Sequence, residues 1–357
     1  MSNIRNSYRI RSLTRRRTII SLGSIFILAL VIVTTFSASA QSNTGTTSQA
    51  GGSFSFTAAG DYGQTNYTTA TLKYIAHSGV SFNLALGDFS YDTSVSAAAW
   101  SAYAKSLLPT NFPFEIIPGG HDTSNAGESS GNQIKAYAAA LPNHIANITG
   151  TYALQYAFDY PATGPLARFI LVSPGNVMSG YDYSKGSAGY NWVSQEIDNA
   201  RAANIHWVIV AMHQYCFVID STSCSSQDLL DLLLAKHVDL ILQAQKHTYQ
   251  ASKQLALNGT TCKTLSDTHY NSSCVVNSTT TMTRGAGSVI LVTGTGGTMP
   301  QLTINTHDPK IGYFRAWAGA NINQTWGLSQ FTVSATQLSM HFVNVSGSFT
   351  DSFSING

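Results

Sequence analysis

Val80-Ser-Phe-Asn-Leu-Ala-Leu-Gly-Asp-Phe-Ser-Tyr91 is an apolar run that empties into a polar turn. Val80 to Leu86 has the length and side chains of a buried strand, and Gly87 with Asp88 is ordinary chemistry for the turn that ends one. The turn also offers a carboxylate at Asp88 and a phenol at Tyr91, three residues apart. Alone, the pair is a weak sign of a metal-binding turn. Four other segments end in a similar way and give it weight.

Upstream, Phe54-Ser-Phe-Thr-Ala-Ala alternates and then breaks at Gly60-Asp61-Tyr62-Gly63, with a helix expected over 68–77. Downstream, a helix over 95–108 leads to Phe114-Glu-Ile-Ile-Pro and the turn Gly119-Gly120-His121-Asp122. A polar loop with Glu128 and a short helix over 133–140 follow. Strands are expected at 151–160 and 167–172, then an amphipathic helix over 188–203. Trp207 to Met212 runs into His213, a helix covers 227–236, and Val238 to Gln243 runs into Gln245-Lys246-His247. The tail is strand-like at 288–293, ending in Gly294-Thr-Gly-Gly, then at 312–318, 328–333 and 338–343.

Strands alternating with helices predict parallel pairing, and the strand-rich centre and tail predict a second sheet packed on the first. The expected fold class is α/β, a two-sheet sandwich with helices on both outer faces. In open sheets of this kind ligands bind beyond the carboxyl ends of the strands. Five apolar runs end there in Asp61, Asp88 with Tyr91, His121 with Asp122, His213, and His247. Each has a plain structural explanation by itself, the aspartates as turn formers, His213 as a hydrogen-bonded core histidine, His247 as a loop residue. Those explanations give no reason for oxygen and imidazole groups to gather at one edge. Carboxylate, phenol and imidazole together suit iron, zinc or manganese.

The chain has 357 residues, and no linker interrupts the apolar spacing from Phe54 onward, so one domain over 54–357 is expected. Residues 1–17 carry six arginines and no acid, residues 18–36 are almost wholly apolar, and Ala38-Ser39-Ala40 supplies small residues. This pattern is an export signal over 1–40 cut after Ala40, or else a retained membrane anchor. Residues 41–53, rich in Ser, Thr and Gly, form a spacer. Removing the six arginines from the 19 basic residues leaves 13 against 17 acids, a mildly acidic protein. No Lys/Arg cluster argues for nucleic acid, and membrane contact is expected only if the N-terminal segment is retained. The location expected is extracellular or cell-surface. Of three pairings open to the four cysteines, Cys216–Cys224 and Cys262–Cys274 fit their closeness in sequence, with a thiolate metal site as the rival. Sequons at Asn66, Asn147, Asn258, Asn271, Asn277, Asn323 and Asn344 would permit glycosylation.

The strand-end blocks resemble those of the metallophosphoesterase (calcineurin-like phosphoesterase) superfamily, and within it the purple acid phosphatase branch. The family patterns GDxG, GDxxY, GNH[DE], VxxH and GHxH are matched in order by Gly60 to Gly63, Gly87 to Tyr91, Gly119 to Asp122, Val210 to His213, and Ala244 to His247. Many superfamily members have Asp-x-His in the first block. Here Gly63 takes the histidine's place and Tyr91 is gained in the second block, the exchange typical of the purple branch. The resemblance implies the superfamily's four-layer fold and a ferric site bound by Asp61, Asp88, Tyr91 and His247. Asp88 would bridge to a second position for zinc, manganese or ferrous iron.

That second position departs from the pattern. Gly120 stands where the family has Asn, and Gln245 where it has the first His of GHxH, leaving Asp88 and His213 with a weak amide ligand at Gln245. A complete pair would activate water and clamp the attacking and leaving oxygens of a displacement at phosphorus, with His121 as acid beside the leaving oxygen. The function implied is a secreted acid-phosphatase-like hydrolase of phosphate monoesters. The alternative is a non-catalytic extracellular binding or surface protein that retains one metal. Substrate choice is expected from the loops at 123–133 and 221–226.

Overall fold

The structure, a computed structural model, describes residues 52–122, 133–175, 180–222 and 224–357. The export segment 1–40, nearly all of the spacer and the loop around Glu128 lie outside the described residues. The chain opens with β1 (Phe54–Ala59), α1 (Asn66–His77), β2 (Phe82–Ala85), α2 (Ala97–Leu107), β3 (Phe114–Ile116) and α3 (Gln133–Ala140). Next come β4 (Thr149–Thr151), β5 (Gln155–Tyr160), β6 (Ala167–Val172), α4 (Ala188–Ala202), β7 (Trp207–Met212), α5 (Gln227–Ala235) and β8 (Leu240–Gln243). The remainder is strand, β9 (Tyr249–Leu255), β10 (Val275–Asn277), β11 (Thr281–Thr283), β12 (Ser288–Thr293), β13 (Phe314–Ala318), β14 (Trp326–Val333), β15 (Gln337–Ser346) and β16 (Ser352–Asn356).

Two sheets result. One runs β11-β16-β15-β14-β1-β2-β3, with β1, β2 and β3 parallel. The other runs β10-β9-β12-β8-β7-β6-β5-β4, with β6, β7, β8 and β12 parallel and β13 paired to β9. Side-chain alternation decides which face meets which layer. Phe54, Phe56 and Ala58 of β1 join Ala167, Phe169 and Leu171 of β6 and Trp207, Ile209 and Ala211 of β7 in the core between the sheets. Phe56 stacks on Phe82 and Phe331 within its own sheet and meets Phe169 of the other edge-on at 5.0 Å. The opposite residues of β7, Val208, Val210 and Met212, pack with Val193, Ile197 and Leu233 of α4 and α5. On the far side, Ala59 and Ala85 pack with Leu72, Trp100 and Tyr137 of α1, α2 and α3. This is the predicted sandwich with helices on both outer faces.

Several expected bounds are corrected. The strand expected over 151–160 is a hairpin, β4 and β5, because Ala153 takes a left-handed φ of 65° and turns the chain back. The segment 312–318 begins as a short 3-10 turn, Ile311–Tyr313, before β13. Helix α1 starts at Asn66, two residues earlier than expected. Thr65 caps it, accepting the N–H groups of Tyr67 and Thr68. The disulfides are Cys216–Cys224 and Cys262–Cys274, with no free cysteine, so the thiolate metal site falls. Among the described residues no helix is long and apolar enough to cross a membrane.

Candidate metal centre

The parallel strands β1, β2, β3, β7 and β8 deliver their C-terminal turns to one edge. Three of these turns break on a left-handed residue, Asp61 (φ 61°), Asp88 (φ 52°) and Gln245 (φ 64°). Asp is among the residues that tolerate this region best, and such conformations concentrate at functional sites. Gly87 could be nothing else, since its φ is 77° and a Cβ there would lie 2.4 Å from the backbone nitrogen of Gly119.

The edge brings five of the predicted residues together. The Tyr91 hydroxyl lies 2.8 Å from Asp61 Oδ1, 3.2 Å from Asp88 Oδ2 and 3.0 Å from His247 Nε2. His213 Nε2 lies 3.3 Å from Asp88 Oδ2, and His247 Nε2 lies 3.6 Å from Asp61 Oδ1. Ligand atoms of Asp61, Asp88 and His213, all buried, lie within 4.8 Å of one another. His121 is exposed at the rim. Its backbone N–H donates to Asp88 Oδ1 at 2.8 Å, and its ring lies 4.4 Å from that of Tyr91.

Counting protons shows what the cluster lacks. His213 Nδ1 is 2.6 Å from the Leu86 carbonyl and His247 Nδ1 is 3.1 Å from that of Pro300, so each Nδ1 carries the hydrogen. When the imidazoles are neutral, both Nε2 atoms face the carboxylates as bare acceptors. The single Tyr91 proton is surrounded by three acceptors and can satisfy one of them. Asp61 Oδ2 and His213 Nε2, both buried, have no hydrogen-bond partner among the described residues. A buried set of converging lone pairs on oxygen and imidazole nitrogen is what a hard or borderline cation needs, so the residues fit a metal.

The electrostatics agree. Burial alone would lower the basicity of His213, yet the Asp88 carboxylate and then Asp61 hold its pKa up to about 10. Burial pushes Asp88 up, but the charge and hydrogen bond of His213, then the His121 N–H and charge, together hold the carboxyl down at about 2. Burial raises Asp61, partly offset by the two histidines. Burial, with the charges of Asp61 and Asp88, keeps the Tyr91 phenol protonated well above its ordinary value. The pocket therefore attracts positive charge, which a proton on His213 or a metal ion can supply.

The Gly120 side is different. A Cβ on Gly120 would meet none of the described residues within 4 Å, and its φ is outside the left-handed region, so the backbone does not demand glycine there. Gln245 is half-buried on its left-handed turn. Asp122 was noticed in the sequence at its strand end but given no task. It is fully buried and accepts the N–H groups of Asp88, Phe89 and Gly119 at 2.7, 3.0 and 2.8 Å, latching the β2 turn to the β3 turn. Burial, then the neighbouring Asp88 charge, pushes its carboxyl up to about 7. An acid directly after the histidine of a Gly-Gly-His turn was the available signal. Of the two specificity loops, 123–132 lies outside the described residues, and the other is tied back to the turn after β7 by Cys216–Cys224.

No family model matches the chain. Purple acid phosphatase 21 of Arabidopsis thaliana is 24% identical over 208 residues, 56% of this chain and 45% of that protein. The chain thus spans about half the length of the curated relatives it matches. Among solved structures, the purple acid phosphatase PPD1 of yellow lupin (Lupinus luteus) seeds has a TM-score of 0.60 at 15% identity, covering 85% of this chain and 54% of that one. GAP50, the anchor in the inner membrane complex of Plasmodium, has a TM-score of 0.52 at 15% identity, over 84% of this chain and 88% of its own. The fold matches that of the purple acid phosphatase PPD1, and the sequence is similar to purple acid phosphatases over about half of their length.

Proposed function

We propose that the chain is an exported, metal-dependent phosphoesterase acting on phosphate monoesters. The observation that carries this is the buried convergence of side-chain oxygen and nitrogen atoms from Asp61, Asp88, Tyr91, His213 and His247 at the strand ends. Asp61, Asp88, Tyr91 and His247 would hold ferric iron. Asp88, His213 and weakly Gln245 would hold zinc, manganese or ferrous iron. The metals, when bound, supply the charge that lowers the pKa of water and neutralises developing negative charge at phosphorus. In the reaction a water oxygen bonds to phosphorus, the bond from phosphorus to the alcohol oxygen breaks, and that oxygen takes a proton. His121, exposed beside the Tyr91 ring, is placed to hold that proton. Asp122 keeps the β2 and β3 turns in register so that Asp88 and His121 face the same space.

Export is proposed from residues 1–40, and the two disulfides favour an oxidising compartment. A domain over 54–357 would carry the activity. The second reading is a binding protein on the same fold, favoured by Gly120 and Gln245 at the second position and by the likeness to GAP50. A chromogenic phosphate ester assayed under iron, zinc and manganese separates the two. Turnover lost in Asp88→Ala supports the phosphoesterase. Equal rates in wild type and Asp88→Ala under every metal sink it.

A further inference from the structure

Beside the donor cluster, sharing only Tyr91 with it, lies an open cleft of about 550 Å³. Tyr91 is the shared wall. Its hydroxyl reaches into the cluster while Thr65, Ser90, Asp92, Thr93 and Thr298 line the cleft, with Met299 as an exposed lip. No Lys, Arg or His is among the described residues that line it. The N-terminus of α1, which also borders it, is closed by Thr65, which accepts from Tyr67 and Thr68 and donates to the Gly297 carbonyl at 2.6 Å. Asp92 is exposed and fixed in place by the backbone N–H and hydroxyl of Ser94, at 2.8 and 2.6 Å. An exposed aspartate is ionised at neutral pH.

A phosphate ester held at the donor cluster has its alcohol portion to put somewhere, and this cleft opens directly beside that position. Its hydroxyls can exchange hydrogen bonds with a polyol, whereas none of its described residues neutralises an anion. Resting on the phosphoesterase reading, we infer that the cleft is the leaving-group subsite and that Asp92 selects monoesters whose alcohol carries no negative charge. Substrates with a second phosphate or a carboxylate beside the ester are disfavoured, and the effect acts across water, so salt weakens it.

Two esters of equal size test this, glycerol 2-phosphate and 2-phosphoglycerate, the second carrying a carboxylate where the first has a hydroxymethyl group. On the metal-loaded full chain, kcat/KM should favour glycerol 2-phosphate by about fivefold to tenfold at low salt. Asp92→Asn should bring the ratio near one and Asp92→Lys should reverse it. Both changes are at an exposed site, and circular dichroism confirms that the variants fold. A ratio that ignores both substitutions overturns the inference. If neither ester is turned over, the phosphoesterase reading fails by itself, and calorimetric binding of the same two esters decides the subsite. There, a preference that follows the charge at position 92 supports it. Binding that does not follow that charge, or no binding, overturns it.

Discussion

The two sides of the strand-end edge have different fates. On the Tyr91 side, Asp61, Asp88, Tyr91 and His247 converge, each placed by a turn whose backbone is held at more than one point. On the Gly120 side, His213 alone stands beside Asp88, and the other two positions hold a residue without a side chain and an amide. The difference teaches that the fold does not need the second set. Among the described residues nothing crowds Gly120, whose φ is unstrained, and Gln245 keeps the left-handed turn without imidazole. The proposed second position keeps Asp88 and His213, while Gly120 and Gln245 add neither carboxylate nor imidazole.

The largest expected effect falls on the fuller side. Tyr91→Phe removes the phenol, so the visible tyrosinate-to-iron absorption proposed for the iron-loaded protein should vanish altogether. Absorption spectra with iron analysis check this, and a variant with an unchanged band would move Tyr91 out of the ligand set. Phe56→Ala acts away from the edge, where stacking on Phe82 and Phe331 fixes β1. It should cost about 3 to 5 kcal/mol in chemical denaturation. The metal content of the remaining folded protein should not change, and a change would mean that the contrast reports core packing instead of ligands.

Asp122→Asn comes next. It leaves one acceptor oxygen for three N–H donors and should weaken metal binding by about 10 to 100-fold without abolishing it. Titration of the metal-free protein measures this, and unaltered affinity would reduce Asp122 to a turn former. The smallest effect concerns β3, which carries Gly120. Burial holds Glu115 up at about 8, against hydrogen bonds from the Ile145 N–H and the Tyr156 hydroxyl. Its ordinary value in an unfolded chain is 4.5. Between these values the folded state keeps a proton that the unfolded state releases, so stability falls as pH rises through this window. The slope is at most about 1.4 kcal/mol per pH unit. Glu115→Gln should flatten that fall when melting is followed from pH 5 to 8, and an unchanged slope would contradict it.

Much of this was legible in sequence because the buried strands are apolar throughout and stop on polar turns. β2, β7, β8 and β12 announce themselves, and with them Asp88, His213 and His247. β9 was missed for a physical reason. Its sequence YQASKQL buries Gln250, Ser252 and Gln254, whose side chains bond the Ile219 and Ile290 amides and the Thr283 carbonyl. A strand whose buried face is polar shows no apolar alternation. β16 (SFSIN) is short and edged by serines, and β4 and β5 were merged because nothing in Thr151 to Gln155 signals a left-handed alanine. Asp122 went without a task because its partners are backbone amides of a turn distant in sequence. Only folding brings them within reach.

Metal stoichiometry decides the central claim that one side of the edge is competent and the other is not. Purified protein loaded with iron and zinc, then dialysed, should retain about one metal per chain, because positions short of their inner ligands release metal readily. Gly120→Asn with Gln245→His should raise the count towards two, since no described residue crowds Gly120 and its φ suits a side chain. A wild-type count of two after dialysis, or an Asp88→Ala count equal to wild type, would contradict the account.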